Sequence, residues 1–146
     1  MSSFFKSMSI SSSGLAAQRL RMNVVSANLA NAQTTRTDEG GPYQRRDVVF
    51  SAVPTGRGFE DFLDGTTNTQ LRKVQVVDIH KDTSAPRRVL DPSHPDADAN
   101  GYVEMPNVQV MAEMVNMITA TRSYEANATA LNDAKQMALK ALEIGR

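Results

Sequence analysis

From about Met8 to Ala32, apolar residues return at every seventh position: Met8, Leu15, Met22 and Leu29, with Val25 and Ala32 filling the offset position of the later repeats. About two apolar positions in seven make a narrow stripe, the width of a coiled-coil seam rather than of a helix lying on a globular core. Serines 11 to 13 and Gly14 weaken the first turns, because serine competes for backbone hydrogen bonds and glycine costs about 1 kcal/mol relative to alanine. The segment alone therefore predicts only a marginal helix.

A stronger helical pattern occupies the other end. Val110, Met114, Met117, Thr121, Tyr124, Ala128, Leu131, Ala138 and Leu142 follow helical spacing, broken by Lys135, and Met111, Val115 and Ile118 widen the stripe over its first turns. Neither proline nor glycine interrupts 108–144, and Gly145 is a natural stop. Such a helix is roughly 55 Å long at about 1.5 Å per residue. Between the helical ends lie all six prolines and several short β-prone runs: DVVF at 47–50, the alternating KVQVVDI at 73–79, RVL at 88–90, and Tyr102-Val103. GRG at 56–58 and GTTNTQ at 65–70 read as loops. The expected fold is mainly α, with long N- and C-terminal helices forming a coiled-coil-like pair around a small β-rich or extended middle. The three regions are 1–32, 33–106 and 107–146.

Composition sharpens this picture. Of 146 residues, 40% are hydrophobic but only 5% aromatic, with no tryptophan, which is thin for an independent core. Pairing the terminal helices with each other leaves much of the wide C-terminal stripe uncovered, so further copies are expected to cover it. Met8, Met22, Met111, Met114, Met117 and Met137 lie on the two helices, where thioethers suit an interface that repacks against non-identical neighbours. A net charge of zero points to no nucleic-acid partner, and the absence of cysteine removes disulfides and thiol chemistry. The N-terminal apolar residues are scattered among serines, so no cleavable secretory signal is expected.

The stretch DADANGYVEMPN at 96–107 opens like a calcium loop, with Asp96, Asp98 and Asn100 two apart and Gly101 following. Its twelfth position, however, is Asn107, where a bidentate glutamate is required, and Pro106 falls where the exiting helix should already run. His80 and His94 have no ligand partners at helical spacing, and no serine lies in a nucleophile elbow. Accordingly, no metal, cofactor, small-molecule substrate or catalytic residue is expected. The stretch reads instead as a hinge set by Gly101 and Pro106, with Asn107 as N-cap of the C-terminal helix.

The amides are more specific. SANLANA at 26–32 puts Asn28 and Asn31 on one helical face beside Leu29, and no charge occurs from Asn23 to Thr35. This run resembles the N-terminal signature of the bacterial flagellar axial proteins, the rod, hook and hook-associated family. Arg122-Ser123-Tyr124-Glu125-Ala126-Asn127, preceded by Glu113-Met114-Val115-Asn116-Met117-Ile118, resembles the matching C-terminal signature. Asp91-Pro92, His94-Pro95, Gly101-Tyr102-Val103, Met105-Pro106-Asn107-Val108 and Pro42-Tyr43-Gln44-Arg45-Arg46 are similar to the proximal rod class. Many axial proteins continue the first signature with Thr-Pro-Gly-Tyr, where this chain has Gln33-Thr34-Thr35-Arg36.

The resemblance implies a structural subunit of the periplasmic rod of the flagellar basal body, one that transmits torque. It further implies type III export without a cleaved signal, and folding coupled to assembly. Implied partners are copies of itself, other flagellar rod proteins, the membrane-ring and export-gate junction, and the type III export apparatus. The assembly interface expected from stripes and signatures together comprises Met8, Leu15, Met22, Val25, Asn28, Leu29, Asn31, Met114, Met117, Arg122, Tyr124, Asn127 and Leu131. A secreted coiled-coil adaptor of another assembly is the alternative reading.

Overall fold

The computed structural model describes residues 2–55 and 71–144; the loop-like runs at 56–58 and 65–70 lie outside the described residues. In chain order the elements are α1 (Ser2–Ala30), β1 (Arg46–Pro54), β2 (Arg72–Lys81), β3 (Arg87–Leu90), β4 (Tyr102–Met105) and α2 (Val110–Ile144). Two long terminal helices with a small β middle were the expected architecture, and that is the one found. α1 starts earlier than its apolar stripe, running straight through the serines and Gly14. The local weakness is offset by contacts made elsewhere. Ser13 Oγ donates back to Ile10 O at 2.7 Å and accepts the Val74 N–H at 3.1 Å, so one hydroxyl ties the helix to β2.

α1 and α2 pack antiparallel. Met22 Sδ accepts the Thr121 hydroxyl at 3.6 Å, Asn28 meets Glu113, and a Cβ built on Gly14 would stand 2.8 Å from Asn127 Oδ1. Small residues make up much of the buried set, Gly14 and Ala17 on α1 and Ala120 and Ala134 on α2, with Val25 buried beside them. Leu15, Met22, Met117, Tyr124 and Leu131 flank this line half-buried. The larger apolar side chains thus shoulder a seam whose centre belongs to small and polar residues.

β1 and β2 form an antiparallel pair from Arg46↔Lys81 to Pro54↔Arg72, with a bulge between Val49 and Phe50. This ribbon runs back along α1, where Lys73 to Val76 face Ser13, Ala16, Ala17 and Leu20 across a shallow cleft. α1 is therefore covered on two sides, by α2 and by the ribbon.

β3 and β4 form a second antiparallel pair, Arg87↔Met105 to Leu90↔Tyr102, around a fully buried Val103. The intervening turn is built by its aspartates. Asp91 accepts the Ser93 N–H and hydroxyl at 3.1 and 2.6 Å, and Asp98 accepts the Asn100 and Tyr102 N–H groups at 2.8 and 2.9 Å. Asp98 also takes the Arg88 guanidinium at 2.9 Å, and Asp96 the Thr35 hydroxyl at 2.8 Å. Gly101 holds φ +79°, and a Cβ there would meet Pro92 Cγ at 3.1 Å, so glycine is needed for both conformation and space.

One detail corrects the sequence reading. α2 begins at Val110, not at Asn107, and Asn107 is not its N-cap. The Asn107 carboxamide oxygen accepts the Arg45 N–H at 2.9 Å, and its amide donates to Asp82 O and Ser84 O at 3.2 and 3.4 Å. Both ends of the side chain are committed to other loops, so it cannot turn back to the first helical amides.

Candidate assembly interface and its buried clasp

Residues 43–46 enter β1 and reach both helices. Asn28, 0% exposed, accepts the Arg46 N–H at 2.9 Å and the Tyr43 hydroxyl at 3.0 Å through Oδ1. Its amide donates to Arg46 O at 2.7 Å and to Glu113 Oε2 at 3.0 Å. Glu113, 1% exposed, accepts the Arg45 Nε–H at 2.7 Å through its other oxygen. Arg45 also bridges to Asp47 at 3.2 Å. Every hydrogen-bonding atom of the Asn28 side chain is thereby used, the condition under which a buried polar cluster is tolerated.

The electrostatics agree with this geometry. Burial alone would lower the Arg45 value, but the hydrogen bond and charge of Glu113, with Asp47 behind them, carry it upward, so the guanidinium stays charged. Burial raises the Tyr43 phenol; Arg46 opposes the shift and Glu113 adds to it, which keeps the phenol a neutral donor. Removing one partner from such a pair leaves an uncompensated buried charge and costs about 3–5 kcal/mol.

Outside the clasp, α2 presents an apolar face to solvent. Met111 is 76% exposed, Val115 61% and Ile118 54%, and Val110 and Met114 lie on the same turns. Met111, Val115 and Ile118 stand at i, i+4 and i+7, so they share one helical face. A second exposed group, Met137, Leu139, Leu142 and Ile144, lies at the far end of α2, and Phe5 is exposed near the start of α1.

Two family models match the chain at its two ends. One, described as flagella basal body rod protein, covers residues 8–36; the other, described as flagellar basal body rod FlgEFG protein C-terminal, covers residues 99–144. Curated relatives match nearly end to end. The chain is 47% identical to the flagellar basal-body rod protein FlgC of Bacillus subtilis, over 97% of this chain and 98% of that one. It is 45% identical to FlgC of Borreliella burgdorferi over 96% of both chains, and 41% to FlgC of Salmonella typhimurium over 94% of both. The chain belongs to the FlgC family of flagellar basal-body rod proteins. These relatives lend no support to an adaptor of another assembly.

Within this FlgC-family fold the expected interface residues divide into three groups. Val25 and Asn28 are buried inside the chain; Met8, Leu15, Met22, Asn31, Met117, Tyr124, Asn127 and Leu131 are half-buried; Leu29, Met114 and Arg122 are exposed. Asn31 closes the end of α1, donating to Ala27 O at 2.9 Å and accepting the Thr34 hydroxyl at 3.2 Å. Glu113 was noticed only as part of the C-terminal signature and was not among the expected interface residues. A signal was nevertheless present: Glu113, Ala120, Asn127 and Ala134 stand seven apart. Tyr43 and Arg45 were noticed only as part of a motif, not as partners of Asn28 and Glu113.

Proposed function

We propose that this chain is a structural subunit of the proximal rod of the flagellar basal body, built in through its two terminal helices. The observation that carries this reading is the exposed apolar face at the start of α2, which the chain's own helix pair leaves bare. In the rod that face packs against helices of neighbouring subunits, either further copies or other rod proteins, and extends the antiparallel pair into a coiled-coil-like layer. The clasp fixes the helices to the β middle, so torque applied to one is borne by the other. At its base the subunit meets the junction of membrane ring and export gate. It reaches the periplasm through the type III export apparatus with no cleaved signal, and the reading requires no catalysis.

The test is a deletion strain complemented with the tagged chain. Loss of swimming, basal bodies arrested before the hook, and recovery of the tagged chain in purified basal bodies are expected. A deletion strain that still builds complete hooks and swims would overturn the reading.

A further inference from the structure

Seven-residue spacing leaves a helix pair with a register problem. On α2 the seam positions Glu113, Ala120, Asn127 and Ala134 repeat every seven residues, and the same spacing on α1 runs through Gly14, half-buried Arg21 and Asn28. Sliding one helix past the other by one repeat would set Gly14 opposite Ala120 or Ala134. At Gly14 small would still meet small, so apolar packing there discriminates weakly between the registers.

Two contacts do discriminate, and they are spaced alike on both helices. Asn28 meets Glu113, and Gly14 meets Asn127; each helix places its two members fourteen residues apart. At the first contact the two side chains are read by one short segment. Tyr43 and the Arg46 backbone hold Asn28, and the Arg45 side chain holds Glu113. A slip carries Asn28 away from Glu113 while residues 43–46 can follow only one of them, so Glu113 loses its Asn28 bond, and its Arg45 bond as well where the segment follows Asn28. At the second contact the Asn127 carboxamide fits because position 14 has no Cβ, and its amide is anchored to Ser123 O at 2.8 Å.

We propose that these two contacts act as a register key, selecting one antiparallel alignment of α1 and α2 from those the seven-residue repeat permits. Asn28, Glu113 and Arg45 are positioning residues here. Their role is to make neighbouring registers unfavourable rather than to add net stability, the use for which buried polar groups are best attested.

The chain contains no cysteine, so engineered pairs report register without background. Met22→Cys with Thr121→Cys reports the observed alignment, since these side chains touch. Met22→Cys with Met114→Cys, and Met22→Cys with Ala128→Cys, report slips of one repeat in either direction. Oxidation of the full-length chain, read as intramolecular crosslinks, should favour the 22/121 pair by on the order of a hundredfold or more, given the cost of an orphaned buried charge. Glu113→Gln, which retains an acceptor for Asn28 but removes the buried charge, should lower that preference without abolishing it. Asn28→Leu combined with Glu113→Leu should keep native helicity by circular dichroism while the preference collapses to within about tenfold, the level expected of apolar packing alone. Three outcomes overturn the proposal: equal or absent crosslinking across the three native-background pairs; a leucine variant of native helicity that still crosslinks only at 22/121; or a leucine variant that loses its helicity, which would make the cluster a requirement for pairing itself and not a choice of register.

Discussion

Asn28 and Glu113 lie 85 residues apart in the chain and share a 3.0 Å hydrogen bond that solvent does not reach. Around them α1, α2 and the lead-in to β1 become a single unit, and the neighbouring position on α1 behaves differently. Leu29 is 36% exposed, so the two residues answer different questions when mutated.

Asn28→Asp places a second carboxylate beside Glu113 with no route to water. The chain should lose at least about 3 kcal/mol of stability, read by urea or thermal unfolding of the isolated protein. Leu29→Arg should change stability by no more than about 0.5 kcal/mol, as surface substitutions do, yet reduce incorporation into basal bodies. Equal destabilisation by both would contradict the burial difference.

Val115→Arg should likewise leave the unfolding transition within about 0.5 kcal/mol of the parent, since the side chain is 61% exposed. The same substitution puts a charge into the apolar face assigned to neighbouring subunits. Soft-agar swimming and immunoblots of purified basal bodies should both fall sharply; unimpaired swimming would remove this face from the interface.

Gly14→Val drives its side chain into the Asn127 carboxamide and should cost about 1–3 kcal/mol, as overpacking does. Gly14→Ala paired with Asn127→Ala clears the collision and removes a helix-interior glycine. The double variant should recover or exceed parental stability, by up to about 1 kcal/mol. A double-mutant cycle with no coupling between the two positions would show that they do not touch.

The turn before β4 should respond to acid. The Tyr102 N–H holds Asp98 below the ordinary value of 3.8, with help from the Asn100 N–H and Arg88. The Ser93 hydroxyl and N–H lower Asp91 in the same way. A carboxyl whose folded-state value is depressed contributes stability that is fully present above 3.8 and lost as the pH falls through the lower folded value. The Asn100 and Tyr102 amide resonances should therefore titrate with Asp98 and the Ser93 resonance with Asp91, each with a midpoint under 3.8, and a midpoint above it would reverse the sign. Asp98→Asn should remove the Asn100 and Tyr102 transitions.

Both helices and all four strands of the described residues were readable from apolar spacing and from β-branched runs between turn residues. The seam was less so, for a physical reason. Spacing counts large apolar side chains, and in this chain those flank the contact, while its centre is set by how closely two backbones can approach. Gly14 read as a helix weakener although its missing Cβ is what admits Asn127. Asn107 read as a cap because asparagine before a helix usually is one; only the position of Arg45, 62 residues earlier, reveals its other employment. The clasp draws its members from residues 28, 43, 45, 46 and 113, and no local window of sequence brings such distant positions together.

The antiparallel pairing has one more consequence, which concerns direction. With Gly14 beside Asn127 and Asn28 beside Glu113, the described chain ends lie at one pole, and the 31–45 loop, β3, β4 and the aspartate turn lie towards the other. Among the described residues, one pole carries the helix ends with Phe5, Leu142 and Ile144 exposed, and the other carries turns and carboxylates. Copies stacked pole to pole in a head-to-tail array meet through two unlike surfaces, so the array has a distinguishable top and bottom whatever rotation separates successive subunits. A filament made of such units carries an arrow, and the arrow is already present in a single chain.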